Sequence, residues 1–217
     1  LYLLQTRNGK RTAKAAIKIA VDLVHEGLIS RKESVSNVDV KFIDQLLHPN
    51  FNEEGLKQAT DISKMGLPAS PGAATGRVVF SAEEAKEQAD AGHKVVLMRP
   101  ETSPEDIEGM VSSEAIVTTH GGMTSHAAVV ARGMGKCCVT GCSDVEIDTV
   151  NKTVYYPDGK LHEGDTISVD GSTGDLYLGA IETVDAEHSE EFDQFMSWSE
   201  DTARLQVRMN AETPQDI

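Results

Sequence analysis

Between residues 66 and 80 the chain reads GLPASPGAATGRVVF, and the feature that most limits its folding is the set Gly66, Pro68, Pro71, Gly72 and Gly76. Proline lacks the amide that a helix interior needs and glycine gives up helix stability, so no helix can run through this stretch. The chain is thereby divided near Met65 into a part with helical periodicity and a part that opens on the β-rich run Arg77 to Phe80. Upstream, Ala13, Ala16, Ile17, Ala20, Leu23 and Val24 recur at three and four residues, which predicts one apolar stripe on a helix ending at Gly27. Ser30 with Glu33 predicts a capping box for a second helix, and VKFIDQLLHP a third segment stopped before Pro49.

Downstream the pattern alternates. Ser81 and Glu84 cap a helix ending at Gly92, KVVLM reads as a buried strand, and Ser103, Pro104 and Asp106 start a helix. EAIVTT is the next strand, SHAAVVARG the next helix, and then come CCVTG, TVYYP and TISVDGSTGDLYLG, whose central glycines predict a hairpin. Strands alternating with helices, followed by several strands in succession, predict an α/β domain over about 66–182 whose late strands form a second, antiparallel layer. Beyond Glu182, ETVDAEHSEEFDQ reads as a solvated, flexible or helical connector.

With 217 residues, 39% of them hydrophobic, the chain can bury an ordinary core. Its formal net charge of −15 and the lack of any Lys and Arg cluster argue against nucleic acid as a partner. No membrane span or signal peptide is readable, which places the expected protein in the cytoplasm or another reducing compartment such as a plastid or glycosome. Cys137, Cys138 and Cys142 carry neither a C-x-x-C spacing nor a matching His pair, and are expected as buried thiols rather than zinc ligands or redox groups. A start at Leu1 inside an apolar stretch and an end on NAETPQDI predict a piece of a longer protein.

The chemistry concentrates at TTHGGMTSHAAVVARGMGKCC, Thr118 to Cys138. A strand, a glycine loop and a helix follow one another, with Thr124 or Ser125 as the expected N-cap and His126 in the first helical turn. Free backbone N–H groups and the positive end of the helix dipole collect there. That field works against an imidazolium, and a neutral imidazole is a nucleophile. The same amides favour an attached or bound phosphate, and Gly121, Gly122 and the Ser125 backbone leave room for a bulky donor. Covalent phosphoryl transfer through histidine is consistent with this spacing, and so is a purely structural histidine. A P-loop, a G-x-S-x-G elbow and G-x-G-x-x-G are all excluded by the residues present. Arg132 and Lys136 could meet phosphates, but near a helix C-terminus they are expected to serve the dipole; His120 is expected to be a loop residue.

GGMTSHAAVVARGMGKCCVTG resembles the phosphohistidine motif of the pyruvate phosphate dikinases, within the family of phosphoenolpyruvate-utilising enzymes. MGLPASPGAATGRVVF and ETSPEDIEGM resemble the opening of that family's swivelling phosphohistidine domain, which implies a layered β/β/α architecture preceded by a small helical segment. LYLLQTRNGKRTAKAAIKIA resembles the end of an ATP-grasp domain, and VRMNAETPQDI the entrance to a pyruvate-binding barrel. The division implied is 1–9 as the end of the ATP-grasp domain, 10–65 as a helical linker, 66–182 as the swivelling domain, and 183–217 as acidic linker and barrel start.

By the same resemblance His126 is the phosphoryl carrier, Thr124 a site for a regulatory kinase and phosphatase, and Gln5 and Arg7 line a nucleotide site. The implied partners are ATP, phosphate and pyruvate or phosphoenolpyruvate through neighbouring domains, in a homodimeric parent. Magnesium is implied with ATP and pyruvate, held mainly outside this chain, in which no metal-ligating cluster is readable. Pyruvate, water dikinase and a non-catalytic acidic interaction module are the competing readings.

Overall fold

The computed structural model describes residues 11–185 and 189–205. Gln5, Arg7 and the stretch VRMNAETPQDI lie outside the described residues. The helices are α1 (Ala13–His25), α2 (Arg31–Asn37), α3 (Val40–Leu47), α4 (Glu53–Gln58), α5 (Ala82–Asp90), α6 (Ile107–Ser112), α7 (His126–Gly133) and α8 (Glu190–Thr202). The strands are β1 (Asn50–Phe51), β2 (Thr60–Ser63), β3 (Leu67–Ser70), β4 (Ala73–Val79), β5 (Val95–Arg99), β6 (Ala115–Thr118), β7 (Cys137–Thr140), β8 (Glu146–Asp148), β9 (Thr153–Tyr156), β10 (Gly159–His162), β11 (Thr166–Asp170), β12 (Asp175–Leu178) and β13 (Thr183–Val184). The described residues divide into two compact units, one of residues 11–43 with 189–205 and the other of residues 44–185.

In the first unit, α1 starts because the Thr12 hydroxyl accepts the Ala15 amide, and it buries Ala13, Ala16, Ile17, Ala20 and Val21. Leu23 and Val24, expected on the same stripe, are only half-buried. The Ser30–Glu33 capping box is formed, with the Ser30 amide donating to Glu33 Oε2 at 2.8 Å. The acidic run after Glu182 leads into a helix, one of the expected forms, but not a merely solvated one: α8 buries Phe192, Phe195 and Trp198 and packs on α1 and α2. Three aromatics spaced by three fall on one helix face, which outweighs the charge of the intervening residues. Trp198 meets His25 edge-on at 6.0 Å, and the Arg31 guanidinium lies over its ring at 5.5 Å.

The second unit is built on an eight-stranded sheet in the order β2-β12-β11-β4-β5-β6-β7-β3. Its centre, β4 to β7, is parallel, and β5 pairs with β6 from Val96 opposite Ala115 to Arg99 opposite Thr118. Strand periodicity sorts the side chains into two cores. Val96, Met98, Val117 and Val139 point into one core with Val154 and Leu161 of a three-stranded antiparallel sheet, β10-β9-β8. Val95, Leu97, Ile116 and Cys138 point into the other, against Ala85 of α5, Met110 of α6 and Ala127, Ala128 and Ala131 of α7. The layering is β/β/α, and each large aliphatic side chain fully buried in it contributes about 1.5–3 kcal/mol.

Two features depart from the sequence expectation. β11 and β12 form the expected hairpin but join the main sheet rather than the second layer, because β11 pairs along β4 from Thr166 opposite Arg77 to Asp170 opposite Ala73. β2 lies before the expected entry at 66 yet pairs with β12, and its Ile62 is buried in the sheet's core. The pairings of β11 with β4 and of β2 with β12 both join strands remote from each other in the chain.

Candidate functional site

At the carboxyl ends of β5 and β6 the chain stays zipped beyond the strands. The His120 amide donates to the Pro100 carbonyl at 2.8 Å, and the Thr118 hydroxyl to the His120 carbonyl at 2.8 Å. The glycine loop starts from this anchored base. Gly121 has φ +96°, and a Cβ there would lie 2.8 Å from Ser125 Cβ, so both conformation and space call for glycine. Gly122 to Ser125 close a turn through the Ser125 amide and Gly122 carbonyl at 2.9 Å, with Met123 and Thr124 exposed at its corner.

Ser125, not Thr124, is the N-cap of α7: its hydroxyl accepts the Ala128 amide at 3.4 Å. His126 is therefore the first helical residue, half-buried, and the His126 and Ala127 amides have no intrahelical acceptor. Thr102 supplies what the sequence did not advertise. Its Oγ1 lies 3.0 Å from His126 Nδ1, from the loop after β5 to the start of α7. A hydroxyl can donate to Nδ1 or accept from it, so the contact engages Nδ1 in either tautomer; where Nδ1 carries the proton, Nε2 has the ring's free lone pair.

Arg132 was expected to serve the helix C-terminus. Instead it reaches back and donates through Nη2 to the Met123 carbonyl, clasping the turn that leads into His126. A guanidinium on a long stem can span the helix in this way, which the helical position alone does not reveal. The loop, cap, clasp and Thr102 thus converge on one imidazole. Lys136 is half-buried and His120 exposed, and neither is brought against the His126 ring by a hydrogen bond. The three thiols are buried and free; burial pushes Cys138 and Cys142 up to about 12 and Cys137 higher still.

Residues 91–174, which hold this loop and its helix, match the family model described as PEP-utilising enzyme, mobile domain. Over its full length the chain is 55% identical to pyruvate, phosphate dikinase of Clostridium symbiosum, 51% to that of Rhizobium meliloti (strain 1021), and 49% to pyruvate, phosphate dikinase 1, chloroplastic, of Arabidopsis thaliana. The chain spans about a quarter of the length of these curated relatives, 25%, 24% and 22%. Among the described residues no helix is long and apolar enough to cross a membrane.

Proposed function

We propose that this chain is the phosphoryl-carrier part of a pyruvate, phosphate dikinase, with Nε2 of His126 as the transferring atom. The observation that carries the reading is the Thr102–His126 contact at the start of α7, which favours a ring with Nδ1 engaged and Nε2 available. Nε2 attacks the β-phosphorus of ATP; the Nε2–P bond forms as the bond to AMP breaks, leaving a pyrophosphoryl group on the ring. Inorganic phosphate then takes the terminal phosphoryl group as pyrophosphate, and the phosphoryl group left on Nε2 passes to the enol oxygen of pyruvate. The net change is ATP, phosphate and pyruvate to AMP, pyrophosphate and phosphoenolpyruvate. The His126 and Ala127 amides and the helix dipole stabilise the bound phosphoryl group.

The carrier domain of this proposal is 66–182, supplemented by β2, and it swings between neighbouring domains that hold ATP, with Gln5 and Arg7 lining the nucleotide site, and pyruvate. Thr124, exposed two residues before His126, is the proposed regulatory phosphorylation site, where added charge and bulk obstruct transfer. Magnesium belongs with the substrate sites outside these residues. Among the described residues no group of three or more His, Cys, Asp or Glu gathers as metal ligands. The parent is a homodimer in the cytoplasm or a comparable reducing compartment.

The test is to incubate the parent protein with ATP labelled in its β-phosphate and map acid-labile, base-stable label. Label on His126, lost in His126→Ala with the fold intact, is the expected result. Label elsewhere, or none while the protein is folded and binds ATP, overturns the reading. Turnover independent of inorganic phosphate would instead indicate a pyruvate, water dikinase.

A further inference from the structure

Arg132 stands in the last turn of α7, where the negative end of the helix dipole favours a cation. Its side chain does not stay there. The carbonyls at that end are served by backbone amides instead: Met134 donates to Val130 at 3.0 Å, Gly135 to Arg132 at 3.2 Å and Lys136 to Ala131 at 2.9 Å. The guanidinium reaches back and donates through Nη2 to the Met123 carbonyl, three residues ahead of His126. Three residues span at most about 11 Å fully extended, and the turn closed between Gly122 and Ser125 shortens that reach. The free amides of His126 and Ala127 and an arginine are therefore gathered at the start of α7.

This is the wrong end of a helix for a positive charge. The dipole is positive at the N-terminus, so the guanidinium and the first amides repel one another while no anion lies between them. Among the described residues Arg132 forms no ion pair, and the Met123 carbonyl is the one acceptor bonded to it. Asp and Glu number 35 against 20 Lys and Arg, so an arginine without a carboxylate beside the candidate nucleophile marks a place where a different anion belongs. Guanidinium presents five N–H donors in a planar fork that suits phosphate oxygens, and on this exposed side chain four of the five stay open.

We propose that Arg132 is a phosphoryl-binding residue: with Nη2 held on the Met123 carbonyl, its remaining N–H groups receive the oxygens of a phosphoryl group carried on His126. The inference rests on the carrier reading of His126. Attachment of an anionic group turns the repulsion at the start of α7 into attraction from two sides, the amides and the guanidinium. An arginine that only clasps the turn contributes the same stability whether or not His126 carries phosphate; one that binds the group contributes more when it does.

The experiment uses the whole chain, with phosphoramidate as a small anionic phosphoryl donor: the bond from ring nitrogen to phosphorus forms as the donor's P–N bond breaks and ammonia leaves. Phosphorus NMR follows labelling, and His126→Ala identifies the His126 signal. Arg132→Met keeps an apolar stem and removes the charge. It should label about tenfold more slowly than wild type, the scale of one hydrogen bond to a charged group. Wild-type labelling should slow as sodium chloride is raised towards about 1 M, where screening acts over about 3 Å, and labelling of Arg132→Met should respond less. Arg132→Lys, which keeps the charge without the fork, should recover part of the rate. Urea midpoints before and after labelling supply a second reading: wild type should gain stability on phosphorylation, and Arg132→Met should lose at least half of that gain while its unlabelled form unfolds close to wild type.

Equal labelling rates and salt responses in wild type and Arg132→Met, or a fall in urea midpoint that is the same with and without phosphate, overturn the proposal and leave Arg132 as a clasp alone. A wild-type chain whose His126 takes no phosphate from phosphoramidate overturns it as well. Should Arg132→Met fail to fold, Arg132→Gln carries the same test with the same two readings. Labelling that depends on Arg132 in the chain, with none reaching His126 from ATP in the parent, keeps the phosphate-binding arginine and removes the dikinase reading.

Discussion

Gly121 and Gly122 are adjacent, and the structure predicts opposite responses to the same substitution. In Gly121→Ala the backbone must keep φ +96° with a Cβ present, a conformation that costs about 1–3 kcal/mol for a non-glycine residue. The new Cβ would also stand 2.8 Å from Ser125 Cβ and 3.1 Å from its hydroxyl, so Ser125 has to move. Ser125 caps α7, and a disturbed cap costs about 1 kcal/mol more. The total of about 2–4 kcal/mol corresponds to a fall in Tm of roughly 4–16 °C for a chain of this length. Because His126 directly follows Ser125, labelling of Nε2 should fall along with stability. At Gly122 φ is not positive and a Cβ meets nothing within 4 Å. Gly122→Ala should therefore keep stability within about 0.5 kcal/mol of wild type, the range of an unconstrained surface change. Thermal and urea unfolding of both variants, followed by phosphoramidate labelling, check this. If Gly122→Ala proves as destabilising as Gly121→Ala, the conformational account is wrong. If it instead leaves stability untouched but abolishes transfer from ATP in the parent, Gly122 serves close approach of the donor.

Other consequences are open to measurement. The thiols of Cys137, Cys138 and Cys142 should resist alkylation in the native state and react on unfolding. Because burial raises their pKa values, to about 12 for Cys138 and Cys142, the unfolded chain ionises first, and stability is full below about 8.5 and declines as pH climbs towards 12. Urea midpoints in that window should fall less steeply in Cys138→Val. Burial opposes the charge of Glu84, but the Lys152 ammonium at 2.5 Å and the Phe80 and Ser81 amides outweigh it and hold its carboxyl below the ordinary range. Its contribution is therefore present at neutral pH and lost as pH falls through the lowered value, and Lys152→Ala should blunt the acid side of a stability profile. Trp198→Ala should cost about 3–5 kcal/mol, read as loss of amide-exchange protection in α1 and α8. Arg132→Met frees the Met123 carbonyl and should raise exchange in the Gly122–Ser125 turn; unchanged exchange there would dismiss the clasp.

What could be read before the structure was what is encoded locally. The Ser30–Glu33 cap, the β11–β12 hairpin and the strand-loop-helix around His126 each lie within one short continuous stretch, where propensity and hydrogen-bonding chemistry act on neighbours. The choice between Thr124 and Ser125 as cap could not be settled there, since either hydroxyl suits the position and only the turn closed by Gly122 puts Ser125 at the boundary. The place of β2 and β11 in the main sheet depends on pairing with strands remote in the chain, and α8 was masked by acidic residues that share a helix with Phe192, Phe195 and Trp198.

Thr102 shows most clearly why the site itself was only half legible. It sits in ETSPED, where Ser103, Pro104 and Asp106 draw attention to the start of a helix and the threonine has no local task. Its partner is 24 residues away. What joins them is the parallel register of β5 and β6, in which Arg99 stands opposite Thr118, so that the loops leaving the two strands emerge side by side. A parallel sheet gathers its loop residues from separate crossovers at one edge, and chemistry placed there is necessarily assembled from distant stretches of sequence. The histidine can announce itself through its own helix start, but the threonine that engages its Nδ1 belongs to a different crossover. On the proposed carrier role, the setting of the His126 ring depends on the sheet as well as on its own helix start, and substitutions that shift β5 against β6 should loosen the Thr102 contact and slow labelling of His126 while leaving every residue from Gly121 to Gly135 unchanged.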